Sequence, residues 1–199
     1  MLKETHLVVG IAATLTMLRP ESLEITIPVT IAAACGSVIC DIDSDMSGAR
    51  RSADVFTSVS VLAFITLFII EKILGISVSE KIMENQDLVI RILAAMGFLA
   101  LCAVGKLISH RSFMHSLMAG ILLSICLYLA TSKLMAVSFF GGFLSHLALD
   151  LMNRKGIRIL WPMKDFICLN LCDADGIINK ALFITGAITA VQLFTECAG

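Results

Sequence analysis

The sequence predicts an all-α fold: a polytopic integral membrane bundle of about five to seven transmembrane helices, formed by a single domain over residues 1–199. Two observations carry this prediction. The first is composition. Hydrophobic residues make up 58% of the chain and charged residues 16%, with a mean hydropathy of +0.93, whereas soluble domains run closer to about 45–50% apolar. A chain this apolar cannot hide its surface in one soluble core. The second is segmentation: the apolar residues fall into long runs separated by short stretches of Pro, Gly, Ser and charge. A net charge of -1 offers no basic surface for nucleic acid, so no nucleic-acid partner is expected and the lipid bilayer is.

Taken in order, the runs justify the elements one by one. Leu7–Leu18 follows Lys3 and ends at Arg19-Pro20 without a small-residue cleavage site, so it reads as a retained segment and not a cleaved signal. Arg19-Pro20-Glu21-Ser22 is a turn into the second run, Ile25–Cys40. The polar stretch from Ser47 to Ser52 precedes the third, Val55–Ile70, and a charged connection from Glu71 to Asp87, with room for a surface helix, leads to the fourth, Leu88–Leu107. Leu117–Ala130 and Leu134–Leu149 are joined by the short turn Ser132-Lys133. A long mixed loop, Asn153 to Gly176, carries Trp161-Pro162 and leads to the last run, Ile177–Phe194. A helix rises about 1.5 Å per residue and the hydrocarbon core is about 30 Å thick, so about 20 residues are wanted. The fourth and seventh runs satisfy this. The first two are short, and suit a hairpin of tilted helices or segments partly enclosed by protein. With one Trp and one Tyr there is little aromatic belt, so Lys and Arg must anchor the interfaces. The cysteines are scattered and mostly intrahelical, where Cys acts as a small apolar residue, and no disulfide framework is expected. Cys168 and Cys172 share an i, i+4 spacing but have no third ligand close in sequence.

The polar residues within and beside these runs are the informative ones. Every histidine lies near a carboxylate or another histidine: His6 in T-H-L-V-V-G, His110 and His115 in H-R-S-F-M-H, and His146 four residues before Asp150. Asp41, Asp43 and Asp45 end the second run. Ionisable groups at a bilayer edge are costly and are functional candidates by default. If the chain starts on one side at His6 and each run crosses, the aspartates at 41–45, the histidines at 110 and 115, and the pair His146/Asp150 all return to that side. The basic residues of that side (Lys3, Arg50, Arg51, Lys106, Arg111 and those between 154 and 164) outnumber Arg19, Lys72, Lys81, Arg91 and Lys133 on the other. The positive-inside rule then faces the polar cluster to the cytoplasm.

Imidazole plus carboxylate is the ligand set of zinc and related divalent ions. His146 and Asp150 lie on one helix face with Cβ atoms about 5–6 Å apart, as two ligands of one ion or as a paired histidine and aspartate. Asp41 and Asp43 can turn toward one centre past a helix end, or form a solvated acidic loop. His110 and His115 are about 140° apart on a regular helix. Both face inward only if a helix begins between them, with Ser109 or Ser112 as its N-cap. Arg111 beside them suits bidentate binding of a phosphate or carboxylate, and also suits snorkelling at the interface.

Four motifs in this order, T-H-L-V-V-G, G-S-V-I-C-D-I-D-S, H-R-S-F-M-H-S-L and S-H-L-A-L-D-L-M-N-R-K-G-I-R-I-L-W-P, resemble the YdjM-like family of membrane-bound metal-dependent hydrolases from His6 to Pro162. The resemblance places His6, Asp41, Asp43, His110, His115, His146 and Asp150 on the family's polar positions, which makes them the expected metal ligands, and Arg111 on its arginine. Cys40 stands where the pattern has Pro, Ser44 where it often has His, Ser112 and Met114 where it has Gly and Thr, and Asn153 where it has Thr. The family is also similar, more distantly, to zinc-dependent phospholipase C and the single-strand zinc nucleases. This implies an enzyme of the inner membrane, a metal-dependent hydrolase that cleaves a phosphoester, with a lipid head group as the expected substrate. More ligands are present than one tetrahedral zinc takes, so two or three zinc-like ions are expected. Arg111, Asp43 and Asp150 are the expected catalytic residues, the arginine for phosphate charge and a carboxylate as general base. A metal- or proton-linked carrier using the same His/Asp cluster, and a purely structural metal, are the competing readings.

Overall fold

The computed structural model describes residues 2–43, 85–173 and 176–198. The third apolar run, Val55–Ile70, the polar stretches on either side of it, and Ser44, Asp45, Arg50 and Arg51 lie outside the described residues, as does the side chain of Asp43.

Every regular element among the described residues is helical: α1 (Lys3–Leu18), α2 (Leu23–Ile39), α3 (Gln86–Leu107), α4 (Leu117–Ala130), α5 (Lys133–Met152) and α6 (Ile177–Ala198), with short 3-10 turns at Cys40–Asp43 and Phe113–His115. Four described helices are long and apolar enough to cross a membrane: Leu23–Ile42, Gln86–Leu107, Lys133–Met152 and Ile177–Cys197. The fold is thus the helical membrane bundle expected. α1 and α4, at 16 and 14 residues, are shorter.

Local sequence sets the helix ends. Arg19 takes a left-handed conformation (φ 42°) that closes α1, its N–H donating to the Leu15 carbonyl, and Pro20 prevents continuation. The Asn85, Ser116 and Ser132 side chains accept the backbone N–H of Leu88, Ala119 and Met135, capping α3, α4 and α5. α4 and α5 form a helical hairpin around Thr131 and Ser132.

Packing runs through α5, which lies against α1, α2 and α4, while α6 packs on α1. The α2–α5 contact is a backbone-to-backbone one. A Cβ on Gly36 would collide with the Phe139 carbonyl, and one on Gly142 with the Ala33 carbonyl. Small residues at crossings are how membrane helices approach closely when lipid supplies no hydrophobic drive. The buried apolar core gathers Phe139, Phe143 and Leu147 of α5 with Leu123 of α4, Cys40 and Ile42 beyond α2, and Phe113, Met114 and Ile157 from the loops. α1 and α6 run in the same direction: the Leu2 N–H donates to the Asn179 side chain at 3.4 Å at one end, and the Cys197 thiol reaches the Pro20 carbonyl at 2.9 Å at the other. In consequence the start of α1, the end of α2, the turn before α4 and the end of α5 meet at one end of the bundle.

Candidate metal centre

Four of these segments each bring a histidine or an aspartate to that end. His6 sits in the first turns of α1, Asp41 in the 3-10 turn after α2, His115 in the 3-10 turn before α4, and His146 with Asp150 in the last turns of α5. Asp150 is at the centre. One carboxylate oxygen lies 3.4 Å from His6 Nε2, and the other lies 3.5 Å from His115 Nε2 and 3.7 Å from His146 Nε2. His115 Nε2 is 3.8 Å from Asp41 Oδ1. His6, His115, His146 and Asp150 are almost wholly enclosed, with side chains at most 3% exposed, while Asp41 opens to the surface at 20%.

The 3.4 Å contact of His6 with Asp150 is a long hydrogen bond, and all of these separations exceed the roughly 2.7–2.9 Å of charge-assisted hydrogen bonds. They match co-ligands of one ion: bonds of about 2.1 Å in a tetrahedron hold ligand atoms roughly 3.4 Å apart. Among the described residues, two groups of side chains bring single ligand atoms within 4.8 Å of one another, His6/His146/Asp150 and Asp41/His115/His146. The imidazoles are mutually packed, His6 stacked on His146 at 4.0 Å between centroids and His115 edge-on to His146 at 5.3 Å.

The tautomer of His146 is set by the backbone. Its Nδ1 is 2.7 Å from the Ser37 carbonyl, which can only accept, so Nδ1 carries the proton and Nε2 presents a lone pair. That Nε2 is buried and has no hydrogen-bond partner among the described residues. An imidazole held by a carbonyl on one nitrogen and offering the other inward is the arrangement of a metal-binding histidine. Ser37 is a residue that reading the sequence did not single out. The signal was available: α2 ends at Ile39, so Ser37 has one of the terminal carbonyls that no helical N–H takes.

Arg111 occupies a left-handed conformation, φ 64°, a position that costs a non-glycine residue about 1 kcal/mol. Its carbonyl accepts the Arg158 N–H at 3.0 Å, its Nη1 donates to the Lys155 carbonyl at 2.6 Å, and Nη2 lies 3.7 Å from Asp150. The guanidinium therefore lies at the mouth of the cluster, 18% exposed. The loop carbonyl of Lys155 is a second partner that side-chain patterns did not reveal.

The expected helix start between His110 and His115 is met by the short 3-10 turn Phe113–His115, which Ser112 precedes without a side-chain cap hydrogen bond, and not by α4. α4 begins at Leu117 with Ser116 as its cap, and the Ser109 and Ser112 hydroxyls instead face each other at 3.2 Å. The reason is the left-handed turn at Arg111, which reverses the chain so that the His110 and His115 rings meet edge-to-face at 5.1 Å without helical periodicity. His115 is buried, whereas His110 is exposed at the rim and belongs to neither ligand group among the described residues. The backbone of Asp43 follows Asp41 in the same turn. Cys168 and Cys172 lie in the loop after α5, one exposed and one buried, where no helix gives their spacing a common face.

A polytopic helical membrane protein with a buried His/Asp cluster at one end of its bundle is thus defined by fold and geometry. Residues 1–197 match the YdjM inner membrane protein family, and the chain belongs to it. No curated protein and no solved structure matches the chain.

Proposed function

We propose that the cluster is the centre of a membrane-embedded, metal-dependent hydrolase acting on a phosphoester, with a lipid head group as the substrate. The observation that carries this reading is the convergence of three buried imidazoles on the single carboxylate of Asp150, at co-ligand separations, with His146 fixed in its metal-binding tautomer by Ser37. His6, His146 and Asp150 would hold one zinc-like ion, and Asp41 and His115 would help to hold a second. Such ions lower the pKa of a coordinated water toward about 7 and neutralise charge on a phosphoryl oxygen.

The chain's own groups supply the rest. Arg111, tied to a loop carbonyl and facing the carboxylate, orients a phosphate at the mouth, and its fork of five donors suits two oxygens at once. The central placement of Asp150 among three imidazoles favours a ligand role for it and leaves Asp43 as the candidate general base. His110 stands at the rim, where a head group would enter. A cytoplasmic orientation of this end follows from the positive-inside asymmetry.

The carrier reading is less well supported. Among the described residues, no buried histidine, carboxylate, lysine or arginine lies in the bundle outside this cluster, whereas a carrier wants such groups near the midplane.

The test is elemental analysis of detergent-purified protein, wild type beside His146→Ala, followed by phosphoester turnover of the metal-loaded wild type. Metal bound in the wild type and lost in the variant, with turnover that requires it, is the expected result. A wild type that stays metal-free after reconstitution would refute the proposal.

A further inference from the structure

We infer that the loop from Asn153 to Asp173 is an interfacial foot that seats in the head-group layer of an anionic leaflet, on the same face of the bilayer as the His/Asp cluster. This inference stands whether or not the cluster is catalytic.

The loop leaves α5 at Met152 and enters α6 at Ile177, two helices that cross the membrane, so both of its ends are held at the bilayer surface. Its base is built into the protein. Ile157 is buried and exchanges both backbone hydrogen bonds with Ile167, at 3.0 and 2.9 Å. The Ile159 carbonyl accepts the Leu117 N–H at 3.0 Å, and Trp161 packs edge-on against Phe113 at 5.2 Å. Beyond that base the chain turns large apolar side chains outward: Leu160, Met163, Phe166, Leu169 and Leu171 are each 50–59% exposed. Five large apolar side chains exposed within one firmly anchored loop mark a surface meant to be covered.

The charge pattern says by what. Between α5 and α6 the chain carries Arg154, Lys155, Arg158 and Lys164 against Asp165, Asp173 and Asp175, and Asp173 is engaged by Arg154 at 2.8 Å. The Arg158 guanidinium lies over the Phe166 ring, 4.5 Å from its centroid, so a cation rides directly on an apolar side chain. Apolar side chains interleaved with cations at a membrane surface suit insertion to the acyl boundary with the cations among lipid phosphates. A protein partner is the alternative cover, and the experiment separates the two.

Trp161, the single tryptophan of the chain, is the native probe. The full-length protein would be placed in nanodiscs of phosphatidylcholine with and without phosphatidylglycerol, with bromine on the acyl chains. Lipid retained by protein purified from membranes would be quantified in parallel. Brominated acyl chains should quench Trp161, aqueous iodide should not, and phosphatidylglycerol should be enriched in the retained lipid. Lys155→Gln and Lys164→Gln should each lower that enrichment roughly fivefold, the factor that corresponds to about 1 kcal/mol per surface cation. Leu160→Asp with Met163→Asp should abolish lipid quenching while circular dichroism stays that of the wild type. Trp161 quenched by iodide and untouched by brominated lipid would mean that the loop faces water or protein, and would overturn the inference. So would a retained-lipid composition unchanged in both lysine variants.

Discussion

The two ends of this bundle are built from the same helices and treat polar residues in opposite ways. At the end where α1 meets α2, a cavity of about 420 Å³ is lined by Arg19, Glu21, Gln192 and Glu196 among apolar neighbours. Its charged residues are exposed, and Gln192 simply bonds Glu196 one turn along its own helix at 3.0 Å. At the other end, His6, His115, His146 and Asp150 are buried, and the bond that orients His146 reaches a carbonyl 109 positions away. Polarity where a helix leaves the membrane is ordinary solvation. Polar groups buried and held by remote parts of the chain bear a large desolvation cost and demand a compensating partner. The contrast separates a membrane edge from a candidate site more sharply than residue type does.

The comparison can be broken most violently at the crossing that brings α2 to α5. Gly142→Leu places a side chain against the Ala33 carbonyl, and a loss of about 4 kcal/mol or more is expected. Size-exclusion chromatography and thermal melting in detergent should show a protein that no longer folds to a single species. Gly97→Ala, where a Cβ meets only Cys126 Sγ at 3.4 Å, is the matched control and should melt as the wild type does.

Next in size is Asp150→Ala. It removes the carboxylate that three imidazoles and Arg111 approach, and a cost of about 3 kcal/mol is expected from the broken buried network, together with loss of bound metal. Glu196→Ala at the opposite end should change neither melting temperature nor metal content. Equal metal retention in the two variants would erase the distinction between the ends.

Arg111→Ala should leave metal in place and lower phosphoester turnover by about a hundred- to a thousandfold, the usual loss of a preorganised charge-stabilising donor. Turnover equal to the wild type would remove the arginine from the proposed chemistry. The smallest effect separates two neighbours. His115→Ala should strip metal, whereas His110→Ala, at the exposed rim, should weaken metal affinity by about ten- to a hundredfold, as loss of an outer partner does. Isothermal titration with zinc would distinguish them, and equal losses would place His110 among the ligands.

Much of the bundle was legible in the sequence because membrane insertion is a local property. A run such as Leu88–Leu107 must become a helix wherever it sits, since only internal hydrogen bonding satisfies its backbone in lipid. The Pro20 and Ser132 punctuation is equally local, but Ser116, the cap of α4, was not singled out. The spacing argument placed a cap at Ser109 or Ser112, and the left-handed turn at Arg111 could not be anticipated from a non-glycine residue. His6 had no local signal at all beyond its neighbour in a short motif.

By itself, then, the sequence determined a helical membrane chain with histidines and aspartates at helix ends, because hydropathy and periodicity act over one turn or one span. Tertiary structure alone decided which of those residues meet. The Gly36 and Gly142 crossing brings the Ser37 carbonyl to His146, the turn at Arg111 buries His115 and leaves His110 at the surface, and the loop after α5 ties Lys155 to Arg111. Each is a contact between backbone atoms and distant side chains, and backbone carbonyls, being identical at every position, carry no mark in a sequence of where they will be needed.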